Sequence, residues 1–249
     1  MRRGGGLVAV FAAVVAAIVG GALAAQKRST PPRLTVFAAA SLTDVFPKID
    51  SRERYSFGGS NALATQVEQG LPADVFAAAN TKLPWQLHRK HLVTRPVEFT
   101  ANKLCIIVAK GNPLRVRANR SLERHGLRIV MAAAGVPAGD YTRKVLARLG
   151  LSDLVGKAVS QETDVREVLS KVVLGEADVG FVYGTDAKAV AGQVGVVGIP
   201  KLAQPTVVYA AAAVEASSHV KEAKAWIRHL LGRKAQHRLR QAGFRPVPR

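Results

Sequence analysis

The chain alternates short apolar runs with segments whose apolar residues recur at helical spacing. The runs Leu34 to Ala38, Tyr55 to Phe57, Asp74 to Ala77, Leu104 to Val108, Arg128 to Ala132, Val179 to Tyr183, Val194 to Val197 and Val207 to Val214 read as strands. Between them, Leu63 and Val67, or Val145, Leu146 and Leu149, place apolar groups on one face of a helix. Strands alternating with helices predict an α/β fold with mainly parallel sheets. The chain is longer than one compact sheet needs, and ligand clefts favour the junction of two lobes. Two lobes are therefore expected. The chain ends build the first (33–108 and 204–249) and the middle builds the second (109–203), with crossovers near Ala109 and Ala203.

The first stretch differs in kind. Arg2 and Arg3 precede an apolar run from Leu7 to Ala25 that ends in the small-residue pattern Ala22-Leu23-Ala24-Ala25. Residues 1–25 read as a secretory signal peptide or, if uncleaved, as an N-terminal anchor. A polar, proline-bearing linker follows at 26–32. The expected location is outside the cytoplasm, periplasmic or at the cell surface. Gln26 stands where a lipid-modified cysteine would stand, so no lipid anchor is expected at that position.

With 249 residues, 48% of them hydrophobic, the chain can bury a substantial core. Cys105 is the sole cysteine and cannot form an internal disulfide; its apolar run marks it as a small buried hydrophobe. The formal charge of +19 points to nucleic acid, anionic lipid or anionic solutes as partners. Much of it lies near the C-terminus, where nine cations from Lys221 to Arg249 face only Glu222, the pattern of a solvated helix face. No paired Cys/His zinc spacing or aromatic-studded basic strand accompanies the charge, so nucleic acid is not an expected partner.

Several helix starts carry the candidate chemistry. In Val36-Phe37-Ala38-Ala39-Ala40-Ser41-Leu42-Thr43-Asp44 a strand runs into a serine followed three positions later by an acid, which predicts an N-cap with a capping box. Ser56-Phe57-Gly58-Gly59-Ser60-Asn61 repeats the pattern of strand, small-residue turn and serine. Free N–H groups at a helix start, with a serine hydroxyl, accept an anion without any cationic side chain; the glycines serve equally well to make the turn. Val136-Pro137-Ala138-Gly139 opens a third helix and offers the Ala138 N–H. Asp164 and Glu167 predict a capping box on a fourth, leaving the Val165 N–H. The strand Val179 to Tyr183 delivers a tyrosine just before the turn Gly184-Thr185-Asp186, where its phenol either packs or faces a cleft.

Taken in order, Val36 to Asp44, Phe57-Gly58-Gly59-Ser60, Gln69-Gly70-Leu71-Pro72-Ala73-Asp74-Val75-Phe76, Val136-Pro137-Ala138-Gly139, Thr163-Asp164-Val165 and Val179 to Ala187 resemble the periplasmic molybdate-binding proteins of ABC transporters. The resemblance runs from about Leu34 to about Pro246. It implies a two-lobed type II periplasmic-binding fold, hinged between lobes. The implied oxyanion shell is Ser41 and Ser60 through hydroxyl and N–H, Ala138 and Val165 through N–H, and Tyr183 through its hydroxyl. The implied ligand is molybdate or tungstate, held as its oxyanion without a cofactor. The implied partners are a permease and ATPase, with the binding protein itself a monomer.

One departure stands out. The segment Leu42 to Gly59 is shorter than in typical relatives, and Pro47 interrupts the helix that follows Ser41, which should be stunted. Three other readings remain beside the main one: a binder of another oxyanion such as sulfate, a sensory relative that has lost transport, and a serine enzyme using Ser41 or Ser60. The enzyme reading lacks a Gly-x-Ser-x-Gly elbow and a recognisable histidine partner, so no catalysis is expected.

Overall fold

The computed structural model describes residues 31–118 and 120–248. The expected leader, and all but the end of the linker, lie outside the described residues. Along the chain come β1 (Thr35–Ala39), α1 (Phe46–Ile49), β2 (Arg54–Gly58), α2 (Ser60–Glu68), β3 (Val75–Ala78), α3 (Lys82–Arg89), β4 (Val97–Asn102), β5 (Leu104–Ala109), β6 (Ile129–Ala132), α4 (Pro137–Arg148), α5 (Leu154–Lys157), β7 (Ser160–Glu162), α6 (Val165–Val173), β8 (Val179–Tyr183), α7 (Gly184–Ala189), β9 (Val194–Gly198), β10 (Val207–Ala213), α8 (Val220–Leu230) and α9 (Arg233–Ala242).

The strands form two sheets of like design, ordered β2-β1-β3-β10-β4 and β7-β6-β8-β5-β9. Helices flank both, giving the two-lobed α/β architecture. Each sheet is mixed rather than mainly parallel. β2, β1 and β3 run parallel, while β10 is antiparallel to β3 and β4; β7, β6 and β8 run parallel, while β5 is antiparallel to β8 and β9. The antiparallel strands β5 and β10 are those the chain enters directly from the other sheet. They start at the crossover and run away from it, against neighbours that end there.

The first crossover lies at Lys103, between β4 and β5, so the apolar run Leu104 to Val108 belongs to the second sheet and not to the first lobe as expected. Hydrophobic pattern identifies a strand but not its sheet. The return passage runs between Gly198 and Val207. Two strands had no counterpart among the expected runs, β4 and β7. Both are edge strands; β7 is three residues long with the polar sequence Ser-Gln-Glu, which an edge tolerates because one side faces no partner strand, whereas β4, Val-Glu-Phe-Thr-Ala-Asn, does alternate apolar and polar residues.

After β1 the chain makes a 3-10 turn, Ala40–Leu42, and then only the four-residue α1, with Pro47 in its first turn. The helix is stunted, yet Phe46 anchors it fully buried. Its ring meets Trp226 edge-on at 5.3 Å and lies 6.0 Å from Phe99. Alanines line the centre of the first sheet, at 38, 39, 77, 78 and 210–213, all but wholly buried. Cys105 is a free, buried thiol, pushed up to about 12 by burial.

Candidate functional site

The carboxyl ends of β1, β2, β6, β7 and β8 all reach the junction of the two sheets, where ligand sites of open α/β sheets lie. Between them is a small cavity whose walls include Ser41, Ser60, Ala138, Val165 and Tyr183, together with Gly58, Gly59, Ala79 and Asp164. All five expected site residues are therefore brought together, two from the first sheet's loops and three from the second's. No Lys or Arg is among the lining residues, and the carboxylate of Asp164 is occupied by its own helix.

Ser41 is not an N-cap, contrary to the capping-box expectation. It sits buried inside the 3-10 turn, where its Oγ lies 2.8 Å from Tyr209 Oη, while Asp44 pairs with Arg166 instead. That contact belongs to a buried hydrogen-bond network. Lys103 N–H donates to Asn102 Oδ1 at 2.9 Å, which turns Asn102 Nδ2 toward Thr185 Oγ1 at 2.9 Å and Tyr209 Oη at 3.4 Å. An amide nitrogen only donates, so the Tyr209 oxygen accepts from Asn102, while between Tyr209 and Ser41 either hydroxyl can be the donor. Where Tyr209 donates, Ser41's own hydroxyl hydrogen is free for the cavity that Ser41 lines.

Ser60 reaches the same state by another route. It opens α2 after Gly59, and its Oγ accepts the Ala79 N–H at 3.1 Å, freeing its O–H as a donor. Gly59 sits where a side chain has no room: a Cβ there would lie 2.3 Å from the carbonyl oxygen of Thr163, on the opposite wall.

The second sheet supplies the first turns of α4 and α6, whose leading N–H groups have no carbonyl partner within their helices. Ala138 follows Pro137 in α4, and Gly139 lets that turn settle onto β6, since a Cβ there would lie 2.0 Å from the Ala133 carbonyl. In α6 the N-cap Asp164 accepts Arg166 N–H at 2.6 Å and Glu167 N–H at 3.2 Å, leaving the Val165 N–H uncapped. Glu167 reaches back to Thr163 N–H and Oγ1, one residue earlier than the expected capping box.

Tyr183 ends β8 at the cavity wall. Its hydroxyl is buried and makes no hydrogen bond to any described residue. Burial holds the phenols of both Tyr183 and Tyr209 well above their usual range, so each keeps its proton as a donor. Below the cavity Arg166 joins the two lobes, bonded to Asp44 and with Nε 2.9 Å from Asp186 Oδ1. The latter contact is coulombic rather than a well-directed hydrogen bond, since neither atom finds bonding geometry. Asp186 is fully buried, and that burial raises it to about 6 despite Arg166. Tyr209, Asn102 and Arg166 were not among the expected functional residues; each acts through a contact more than 80 residues away in sequence.

Cavity, donor set and mixed sheets define a solute-binding protein of two-lobed design. The model of the bacterial extracellular solute-binding proteins matches residues 34–245, and the chain belongs to that family. The chain is also similar to proteins named molybdate-binding protein ModA. The one from Mycobacterium tuberculosis is 35% identical, covering 85% of this chain and 84% of its own length. The one from Escherichia coli is 31% identical, covering 85% and 88%. Among solved structures, the periplasmic molybdate-binding protein of Azotobacter vinelandii shares the fold with a TM-score of 0.77 at 21% identity, covering 87% of this chain and 100% of that one.

Proposed function

We propose that the protein is the exported binding component of an ABC importer, capturing molybdate or tungstate in this cavity and delivering it to a permease and ATPase. The hydroxyls and N–H groups of Ser41 and Ser60, the N–H groups of Ala138 and Val165 and the hydroxyl of Tyr183 would hold the anion. The observation that carries the reading is the buried Tyr183 hydroxyl, without a partner among the described residues, in a cavity that these residues line with donors and no cationic side chain. An orphaned buried polar group costs about 1–3 kcal/mol, a cost that a bound acceptor removes.

A tetrahedral dianion is well served by such a site. It offers many oxygens to directed donors, and the N-termini of α2, α4 and α6 add partial positive charge without a countercharge that would also attract other anions. Enclosure between lobes strengthens each bond by excluding water. Donors spaced for molybdate or tungstate would lose bonds to the smaller sulfate, each worth about 1.5–3 kcal/mol. The same donor set favours binding over catalysis, because the two serine oxygens are committed to Tyr209 and Ala79 and no histidine lines the cavity.

Calorimetric titration with molybdate, tungstate, sulfate and phosphate tests the proposal. The expected result is tight binding of about one molybdate or tungstate per chain and much weaker binding of sulfate. Heat with sulfate or phosphate but none with molybdate would overturn the specificity.

A further inference from the structure

The last two helices carry a surface that the anion cavity does not use. α8 and α9 are joined by Leu231 and Gly232, and they expose Lys221, Lys224, Arg228, Arg233, Lys234 and Arg238. Among the described residues none of these six forms an ion pair, and the two helices contain a single acid, Glu222. The apolar sides are already committed. Ala223, Trp226, Ile227 and Leu230 of α8, with Ala235 and Leu239 of α9, are buried in the core, so the charged faces are held outward. At the bend between them Leu231 is 47% exposed, flanked in sequence by Arg228, Arg233 and Lys234.

Unpaired cations around an exposed aliphatic residue match an anionic bilayer. The cations meet the headgroup charge, and the apolar residue enters the boundary beneath it. Nucleic acid would want large exposed rings as a stacking platform, whereas the one Phe, Tyr or Trp of these helices, Trp226, is buried and only the imidazoles of His229 and His237 are exposed. We infer that the outer face of α8 and α9, centred on Leu231, docks on anionic phospholipid membranes. This face holds the protein beside the bilayer, whether or not the anion site is read correctly.

The test is co-sedimentation of the full chain with phosphatidylcholine vesicles with and without phosphatidylglycerol. Partition should favour the phosphatidylglycerol vesicles and fall as salt screens the charge. R228E/R233E/K234E should lower that partition about tenfold or more, since each cation near the surface contributes about fivefold. K110E/R117E/R120E, the same charge change on exposed positions of the second lobe, should lower it far less. Leu231→Ser should weaken partition severalfold while leaving its salt dependence. An unchanged thermal transition in each variant shows that it folds. Partition that ignores vesicle charge, an equal loss in both triple variants, or no effect of Leu231→Ser would each overturn the proposal.

Discussion

Tyr209 Oη stands 2.8 Å from Ser41 Oγ, joining β10 to the turn after β1 across 168 positions of sequence. Asn102 donates to the same phenolic oxygen, which leaves the Tyr209 hydroxyl hydrogen able to serve Ser41. Tyr209→Phe removes the hydroxyl that engages Ser41 while keeping the ring's packing against Phe99 and Phe244. Anion affinity should fall by about 1 kcal/mol, roughly fivefold, with thermal stability changed little. Equal affinity by calorimetry would show that Ser41 orients itself without Tyr209.

Tyr183→Phe should move two quantities in opposite directions. Removing the orphaned hydroxyl relieves the ligand-free protein of a cost of about 1–3 kcal/mol, so its melting temperature should rise. Removing the donor should weaken molybdate binding by about 1–3 kcal/mol. Melting with and without molybdate reads both effects; a variant that melts lower without ligand and binds equally well would place the phenol outside the site.

Gly59→Ala probes the approach of the two cavity walls. Its new methyl would lie 2.3 Å from a backbone oxygen of Thr163, which cannot rotate away as a side chain can. The walls must part, and overpacking of this kind costs about 1–3 kcal/mol. Affinity should drop about tenfold or more, and solution scattering with ligand should show a larger radius than for the unaltered protein. A variant that closes and binds normally would contradict the contact.

Asp186 makes stability depend on pH. Its carboxyl is raised from 3.8 to about 6 by burial, opposed by Arg166, so the folded state holds its proton more tightly than the unfolded chain. The stability this contributes is fully present below about 3.8 and is lost as pH rises through about 6. The stability of the unaltered protein relative to Asp186→Asn should therefore fall by about 2–3 kcal/mol between about pH 4 and about pH 7. Paired denaturant titrations across that range check it. A constant difference would mean that Arg166 holds Asp186 ionised throughout.

The order of strands and helices was legible in the chain because it follows from local periodicity. Val179 to Tyr183 reads as a strand from its own five residues, and α4 opens at Val136-Pro137 for reasons contained in that dipeptide. The five expected site residues were likewise visible as helix starts and a strand end within ordered motifs, a pattern carried by adjacent residues. The edge strand β7 escaped notice because it has no apolar alternation to show, whereas β4 carries that alternation in Val-Glu-Phe-Thr-Ala-Asn. The crossover at Lys103 escaped because a run such as Leu104 to Val108 fits either sheet.

What the tertiary structure alone decided is direction. Ser60 becomes a donor because the Ala79 N–H engages its oxygen, Ser41 is tied to Tyr209, and Asp44 leaves its expected cap for Arg166. Those partners come from strands and helices far along the chain. Hydrogen-bond polarity depends on where each donor sits in three dimensions, and local pattern holds no record of that.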